Sequence, residues 1–126
     1  MRNLTLLLCL FGLIGITNAQ IIENWQQINS STNKHLWSVH FVDDNLGWIS
    51  GDSGLVIRTD DGGETWQQQN TGSELRLQWI HFVDENNGWT VGKEGTLFRT
   101  TDGGNNWDYI ENAADTHLTH GFFINK

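Results

Sequence analysis

The sequence repeats itself at an offset of 41 residues, and this repetition constrains the fold more than any other feature. Residues 36–66 align without a gap on residues 77–107, and 16 of the 31 aligned positions are identical. The same offset matches residues 25–28 to the end of a repeat and residues 118–126 to the beginning of one. The sequence therefore predicts two complete repeats between two partial ones. The complete repeats span residues 36–70 and 77–111.

Each complete repeat is predicted to contain four short β-strands, because runs of β-branched and aromatic residues alternate with clusters of Gly, Asp and Asn. The predicted strands are residues 36–42, 48–50, 55–59 and 65–70 in the first repeat and 77–83, 89–91, 96–100 and 106–110 in the second. Four antiparallel strands in about 41 residues is the size of one β-propeller blade. The predicted fold class is therefore all-β, a β-propeller fragment with two complete four-stranded blades and partial blades at both ends. A β-sandwich or an open solenoid could use the same strands.

A propeller blade packs between two neighbours, so both faces of its sheet are expected to be apolar. Val39 and Phe41 share one face of the first predicted strand, and Ile80 and Phe82 match them in the next repeat. Propellers generally have about four to eight blades, and only two complete ones are predicted here. We therefore expect a truncated protein that does not close as a monomer. Its uncovered faces and edges are expected to produce aggregates or ill-defined oligomers.

The first 19 residues are typical of a cleaved signal peptide rather than of a folded domain. A short positive head at residues 1–3 precedes an apolar run, residues 4–16, which is too short to span a bilayer. Small side chains before the predicted site suit signal peptidase, so cleavage is predicted between Ala19 and Gln20. The protein is therefore predicted to be secreted or periplasmic, with no membrane span after cleavage.

The predicted mature chain, residues 20–126, lacks cysteine and is acidic. It has six basic and fifteen acidic side chains, which gives a formal charge of −9. This charge repels phosphate backbones, so nucleic acid is not a predicted partner. Without cysteine there is no disulfide framework, and stability has to come from packing.

The turn between the third and fourth predicted strands carries the most specific pattern. Residues 59–66 read TDDGGETW, and residues 100–107 read TTDGGNNW. The aspartate can accept hydrogen bonds from loop amides, the threonine hydroxyl can bond across the turn, and glycine permits backbone angles that other residues resist. The tryptophan can close over the turn. The turn residues predicted to be structural are Thr59, Asp61, Gly63, Thr65, Trp66, Thr100, Asp102, Gly104 and Trp107.

These turns resemble the Asp-box, or BNR, repeat, whose pattern is Ser/Thr-x-Asp-x-Gly-x-Thr-Trp. The first copy matches every fixed position, and the second differs only at Asn106. Together with the preceding Phe-Val-Asp, Gly-Trp and Gly-x-x-Gly segments, the frame is similar to the repeats of the photosystem II stability and assembly factor family. The resemblance implies a seven-bladed propeller with structural Asp-boxes that acts as a binding or assembly platform. No catalytic residue and no cofactor are predicted.

Asp-boxes also occur in sialidases and other glycoside hydrolases, so an enzyme is the alternative function. Sialidases resemble one another in an arginine trio and a tyrosine nucleophile. The mature chain has only Arg58, Arg76 and Arg99, two of which precede an Asp-box at equivalent positions, and its single tyrosine is Tyr109. The alternative is therefore the N-terminal fragment of an exported Asp-box glycoside hydrolase, and catalysis by this chain is not predicted.

Two features could suggest a metal site. His40 and His81 are equivalent positions in successive repeats, which is more typical of packing than of a ligand set. The acidic loops 43–45 and 84–86 offer the oxygen ligands that calcium prefers, but Asp and Asn are ordinary turn formers and no EF-hand pattern is present. No metal site is predicted.

Trp37 and Trp79 are the candidates for a binding surface. Four of the seven tryptophans recur at the 41-residue offset, which indicates core and interblade packing. Trp37 and Trp79 instead break the repeat and fall on opposite faces of the first strand. The predicted partner is another protein or a glycan.

Overall fold

The computed structural model describes residues 27–111 and 118–120, which form two antiparallel four-stranded sheets. The first sheet, blade 1, contains β1 (Leu36–Phe41), β2 (Gly47–Gly51), β3 (Leu55–Thr59) and β4 (Gln67–Asn70). The second, blade 2, contains β5 (Leu77–Phe82), β6 (Gly88–Gly92), β7 (Leu97–Thr100) and β8 (Asp108–Tyr109). A short 3-10 turn, Lys93–Gly95, precedes β7, and no helix in the described part of the chain could cross a bilayer.

The eight predicted strands are confirmed, with ends displaced by no more than two residues. β4 and β8 begin later than predicted, because the last residues of each Asp-box are held in the turn rather than in the sheet. The predicted signal peptide and its cleavage site lie outside the described residues. So do residues 25–26 and 121–126 of the partial repeats.

The two blades share the same strand pairing. Each is a meander in which the strands neighbour one another in chain order, and each has a bulge near the start of its first strand, at Leu36/Ser38 and at Leu77/Trp79. The β1–β2 turn and the Asp-box therefore lie at one end of blade 1, which we call the Asp-box end. The β2–β3 turn and the link to β5 lie at the opposite end.

The core lies between the two blades. Trp48 and Val56 of blade 1 pack against Leu77, Ile80 and Phe82 of blade 2, and all five side chains are buried. The indole of Trp48 stacks on the ring of Phe82, with 3.5 Å between ring centroids and an interplanar angle of 6°. Because β1 and β5 are neighbours, the blades meet along their first strands.

A glycine makes this stack possible. The ring of Phe82 lies so close to Gly88 that a Cβ atom there would sit 2.6 Å from it. Gly47 has the same relation to Phe41 in blade 1. The glycine of each Gly-Trp pair therefore provides room for the phenylalanine ring of the preceding strand.

The first strands of the two blades differ in burial, although their sequences match. Leu77, Ile80 and Phe82 are 2% exposed or less, whereas Val39 is 59% exposed and Phe41 is 40% exposed. This face is apolar in both blades, as predicted, but within the described residues it is covered by a neighbouring blade only in blade 2.

The difference in burial predicts different costs for the same substitution. Phe82→Ala removes a buried ring from the blade contact and is expected to lower the free energy of unfolding by about 3 to 5 kcal/mol. Phe41→Ala, at the equivalent position, is expected to cost about 1 kcal/mol. Urea denaturation of the two variants at low protein concentration measures both values, and equal losses would contradict the blade packing described here.

Candidate protein-binding surface

The Asp-box of blade 1 is closed by hydrogen bonds within the turn. Asp61 Oδ1 accepts from the Thr65 amide at 2.9 Å and from the Thr59 hydroxyl at 2.7 Å, and Oδ2 accepts from the Thr65 hydroxyl. The Thr59 hydroxyl oxygen also accepts from the Gly63 amide at 2.9 Å. Gly63 has φ +93°, which favours glycine. The buried Trp66 indole donates to the Gly63 carbonyl at 3.1 Å.

The second Asp-box keeps the aspartate and threonine contacts of the first, but the buried Trp107 indole N–H has no partner among the described residues, unlike that of Trp66. Asp102 accepts from the Thr100 hydroxyl at 2.8 Å and from the Asn106 amide at 2.9 Å. The side-chain amide of Asn106, donating to Asp102 at 2.7 Å, takes the place of the threonine hydroxyl in the first box. The departure from the Asp-box pattern therefore preserves the hydrogen bond.

These hydrogen bonds stabilise the ionised aspartates. The pKa of Asp61 falls to about 2, chiefly because the Thr65 hydroxyl donates to the carboxylate, with the Thr65 amide and the Thr59 hydroxyl contributing less. The pKa of Asp102 is also lowered, first by the side-chain amide of Asn106. Both carboxylates accept their hydrogen bonds from residues of their own turn.

The Asp-box of blade 2 also joins the two blades. Its Gly103 carbonyl accepts the Trp48 indole N–H at 3.0 Å and the Gln69 side-chain amide at 3.0 Å, and both donors belong to blade 1. Trp107 packs edge-on against Phe82, with 5.9 Å between ring centroids. The turn residues predicted from sequence are thus brought together in two equivalent clusters at the Asp-box end.

Trp37 lies at the opposite end, in a cluster with Asp52 and Arg76. Its indole N–H donates to Asp52 Oδ1 at 2.8 Å, and the Arg76 guanidinium lies 4.1 Å over its ring. Arg76 Nε donates to the same Asp52 oxygen at 2.7 Å. The pKa of Asp52 is lowered, first by the hydrogen bond from the Trp37 indole and then by the hydrogen bond from Arg76. Trp37 is 45% exposed and is held in place by two partners.

Sequence reasoning found Trp37 but not its two partners, although a signal for them exists. At the 41-residue offset, Asp52 aligns with Lys93, and Arg76 aligns with His35. All three members of the cluster therefore break the repeat together.

Trp79 has a different setting. It stacks on His81, with 5.4 Å between ring centroids and 9° between planes. The ring of His81 in turn contacts the ring of His40 on β1, with 4.3 Å between the two centroids. The pKa of His40 is lowered, first by burial and then by the nearby His81. Its hydrogen bond with the Phe82 backbone acts in the opposite direction but is the smaller effect. The structure therefore does not place Trp79 in the Trp37 cluster.

The acidic loops that offered oxygen ligands for calcium are turns closed by their own aspartates. Asp43 accepts from the amides of Asn45 and Leu46 at 2.8 and 2.7 Å, as Asp84 does in the equivalent turn, so these carboxylates cap turns. Within the described ranges, no three His, Cys, Asp or Glu side chains are grouped to hold a metal ion.

The residues that a sialidase would need make separate contacts. Arg58 lies 3.5 Å from Asp60, Arg76 pairs with Asp52, and Arg99 lies over the ring of Trp89. Tyr109 packs edge-on against Phe98. The geometry does not group these side chains into an arginine trio with a tyrosine.

Two equivalent meanders that pack through their first strands and carry Asp-boxes at one end define a β-propeller repeat protein. Comparisons with known proteins agree. A sequence profile of the family described as photosynthesis system II assembly factor YCF48 matches residues 17–118. The chain belongs to this family, and the predicted β-propeller fragment is confirmed.

Solved structures also resemble much of the chain. YCF48 from Cyanidioschyzon merolae is 35% identical with a TM-score of 0.63, and the match covers 71% of this chain and 30% of that one. YCF48 bound to D1 peptide is 31% identical with a TM-score of 0.65, over 70% of this chain and 30% of that one. No curated protein sequence matches the chain. The chain thus spans less than a third of the length of these structures.

The Asp61 contacts predict a stability effect that depends on pH. Asp61→Ala leaves the Thr65 amide and the Thr59 and Thr65 hydroxyls without their acceptor, so the melting temperature is expected to fall by several degrees at neutral pH. Because the folded-state pKa lies below the ordinary 3.8, this stabilisation is present above pH 3.8 and is lost as the pH falls toward 2. The difference in melting temperature between the wild type and Asp61→Ala should therefore become smaller in acid.

Asp60→Ala is the matched control, because Asp60 is exposed and makes only a surface ion pair with Arg58. Thermal melts of the three proteins between neutral pH and acid provide the measurement. An unchanged melting temperature in Asp61→Ala, combined with lost ligand binding, would show that the role of the Asp-box is not structural.

Proposed function

We propose that the protein is an exported binding platform that assists the assembly of other proteins and catalyses no reaction itself. The observation that carries this proposal is membership of the YCF48 assembly factor family across residues 17–118. Likeness to YCF48 bound to D1 peptide supports a protein partner, recognised as a peptide segment.

The Trp37 cluster is the surface proposed to bind the partner. Tryptophan and arginine are the residues that most often carry binding energy at protein interfaces. Asp52 and Arg76 already restrict the Trp37 indole, so little side-chain entropy remains to be lost on binding. Trp37 also borders an apolar groove of about 340 Å³ that is lined in addition by Leu36, Val39 and Ile49. An extended segment with apolar side chains fits this surface.

A direct test uses peptides selected from a displayed random library against the chain from Gln20 onward. Trp37→Ala is expected to weaken their binding about tenfold or more, the loss typical of a central aromatic contact. Tyr109→Ala, which removes another exposed aromatic ring outside the cluster, should have little effect. Fluorescence anisotropy gives the dissociation constants. Peptide binding that ignores Trp37→Ala would contradict this surface, and glycans that bind through Trp37 in place of peptides would replace the protein partner.

Export is tested by the N-terminus of the protein made in a secreting host. The short apolar run and the small residues before Gln20 predict a mature chain that begins at Gln20. N-terminal sequencing reads this residue directly. A secreted or cell-associated species that still begins at Met1 would exclude the proposed cleavage.

A further inference from the structure

The contact between the two blades contains a site for an indole ring, and blade 1 carries the same site on its exposed face. In the blade contact, the Trp48 indole stacks flat on the ring of Phe82 and donates its N–H to the Gly103 carbonyl at 3.0 Å. Trp107 contacts Phe82 edge-on. A flat ring, an edge contact and a backbone acceptor thus specify the position of the indole.

Phe41 is the equivalent flat ring in blade 1. Trp66 contacts it edge-on, with 6.1 Å between centroids and an angle of 83°, as Trp107 contacts Phe82 at 5.9 Å and 87°. Phe82 is buried beneath its indole, whereas Phe41 is exposed. Among the described residues no indole stacks on Phe41, so its ring is open to a group from another molecule.

The acceptor is also repeated, because the two Asp-boxes follow the same backbone path. Gly62 has φ +74° and Gly103 has φ +71°, and the glycines that follow them have φ +93° and +88°. The amides of Gly62 and Gly103 each donate at 2.9 Å to a backbone carbonyl in the turn after the first strand of their blade. The carbonyl of the exposed Gly62 therefore occupies, in blade 1, the place of the indole acceptor.

Acidic side chains surround this second site. Four exposed carboxylates lie in the two turns that meet at Gly62, namely Asp43, Asp44, Asp60 and Glu64. Arg58 offsets one of them, since it pairs with Asp60 at 3.5 Å. The whole chain has a net charge of −8. A segment with basic side chains is therefore favoured at this site over a neutral or acidic one.

The apolar groove beside Trp37 leads to the same site. Ile28 and Val39 line this groove, and Val39 lies two residues before Phe41 on β1, so the two side chains share one face. The Cδ1 atom of Ile28 lies 3.7 Å from the position that a Cβ atom on Gly63 would take, so the groove extends to the Asp-box. From Trp37 to Phe41 the strand covers about 12 Å, which an extended peptide spans in about four residues. One segment can therefore contact both aromatic residues.

We propose that the partner segment is a cationic peptide with a tryptophan, whose indole stacks on Phe41 and donates its N–H to the Gly62 carbonyl. Lysine or arginine beside this tryptophan faces the four carboxylates, and the apolar part of the segment lies in the groove toward Trp37. The inference rests on the proposed protein-binding function and specifies the chemistry of the partner. The partner indole takes the position on blade 1 that Trp48 takes on blade 2.

Anisotropy titrations of labelled peptides with the chain from Gln20 onward test the inference. Each probe contains a Lys-Trp-Lys core preceded or followed by a short run of valine and threonine, so that both directions along β1 are covered. Phe41→Ala is expected to weaken binding about tenfold or more, the loss typical of a central aromatic contact. Phe41→Leu keeps the bulk but not the flat ring and should also weaken binding. Tyr109→Ala removes an exposed ring outside the site and is the matched control.

Changes in the peptide test the hydrogen bond and the charge separately. Replacing its tryptophan with 1-methyltryptophan removes only the donor and should weaken binding about two- to tenfold, the value of one hydrogen bond. Replacing both lysines with glutamates should weaken binding further, and salt should weaken the lysine peptide because it screens the attraction. Circular dichroism establishes that each protein variant is folded, and Phe41→Leu replaces Phe41→Ala if the latter unfolds.

The outcomes separate this inference from the proposed function. Peptides that bind through Trp37 but ignore Phe41 and their own tryptophan would overturn the inference and leave the proposed function standing. Equal binding of the lysine and glutamate peptides, or of the tryptophan and 1-methyltryptophan peptides, would also overturn it. So would self-association that depends on Phe41 and that the peptide does not displace, since a second copy would then occupy the site. A displayed library that yields no binding peptide would instead overturn the proposed function itself.

Discussion

The stack of Trp48 on Phe82 is the contact on which the rest of the structure depends. It joins two sheets whose strands are each only two to six residues long, and short meanders of this kind are marginal without a covered apolar face. The stack requires Gly88 beneath the ring, since a side chain there would collide with Phe82. It also requires the Asp-box of blade 2, whose Gly103 carbonyl accepts the indole N–H. Turn, glycine and tryptophan therefore recur together in each repeat because one packing arrangement uses all three.

The Asp-boxes have polar groups that could suggest chemistry, yet their hydrogen bonds are satisfied within the turn. Asp61 and Asp102 accept from threonine hydroxyls, loop amides or an asparagine side chain, and this explains their lowered pKa values. A carboxylate used in this way orients the backbone rather than a substrate. The proposed binding surface instead uses residues outside the repeat pattern. Trp37, Asp52 and Arg76 contact one another at the end of the blades opposite the Asp-boxes.

The repeat also explains why two nearly identical strands differ in exposure. β1 and β5 share the same pairing and the same bulge, but among the described residues only β5 has another blade packed on the apolar face that carries its phenylalanine. Burial of this apolar face depends on whether another blade packs on it. The burial of Phe82 and the exposure of Phe41 therefore differ because of the neighbouring blade and not because of the two strands themselves.

Strands, turns and fold class were accessible from sequence, because they depend on local patterns that recur at a fixed offset. Alternation of apolar residues sets strand faces, and glycine with aspartate sets turns, so the eight strands and two Asp-boxes could be placed before any coordinates. The site was only partly accessible. Trp37 was visible as a departure from the repeat, but its contacts with Asp52 and Arg76 join residues 15 and 24 positions apart. The sequence predicted uncovered apolar faces but not that Val39 and Phe41 would lie on one of them, since burial depends on a neighbouring blade and not on the strand's own residues.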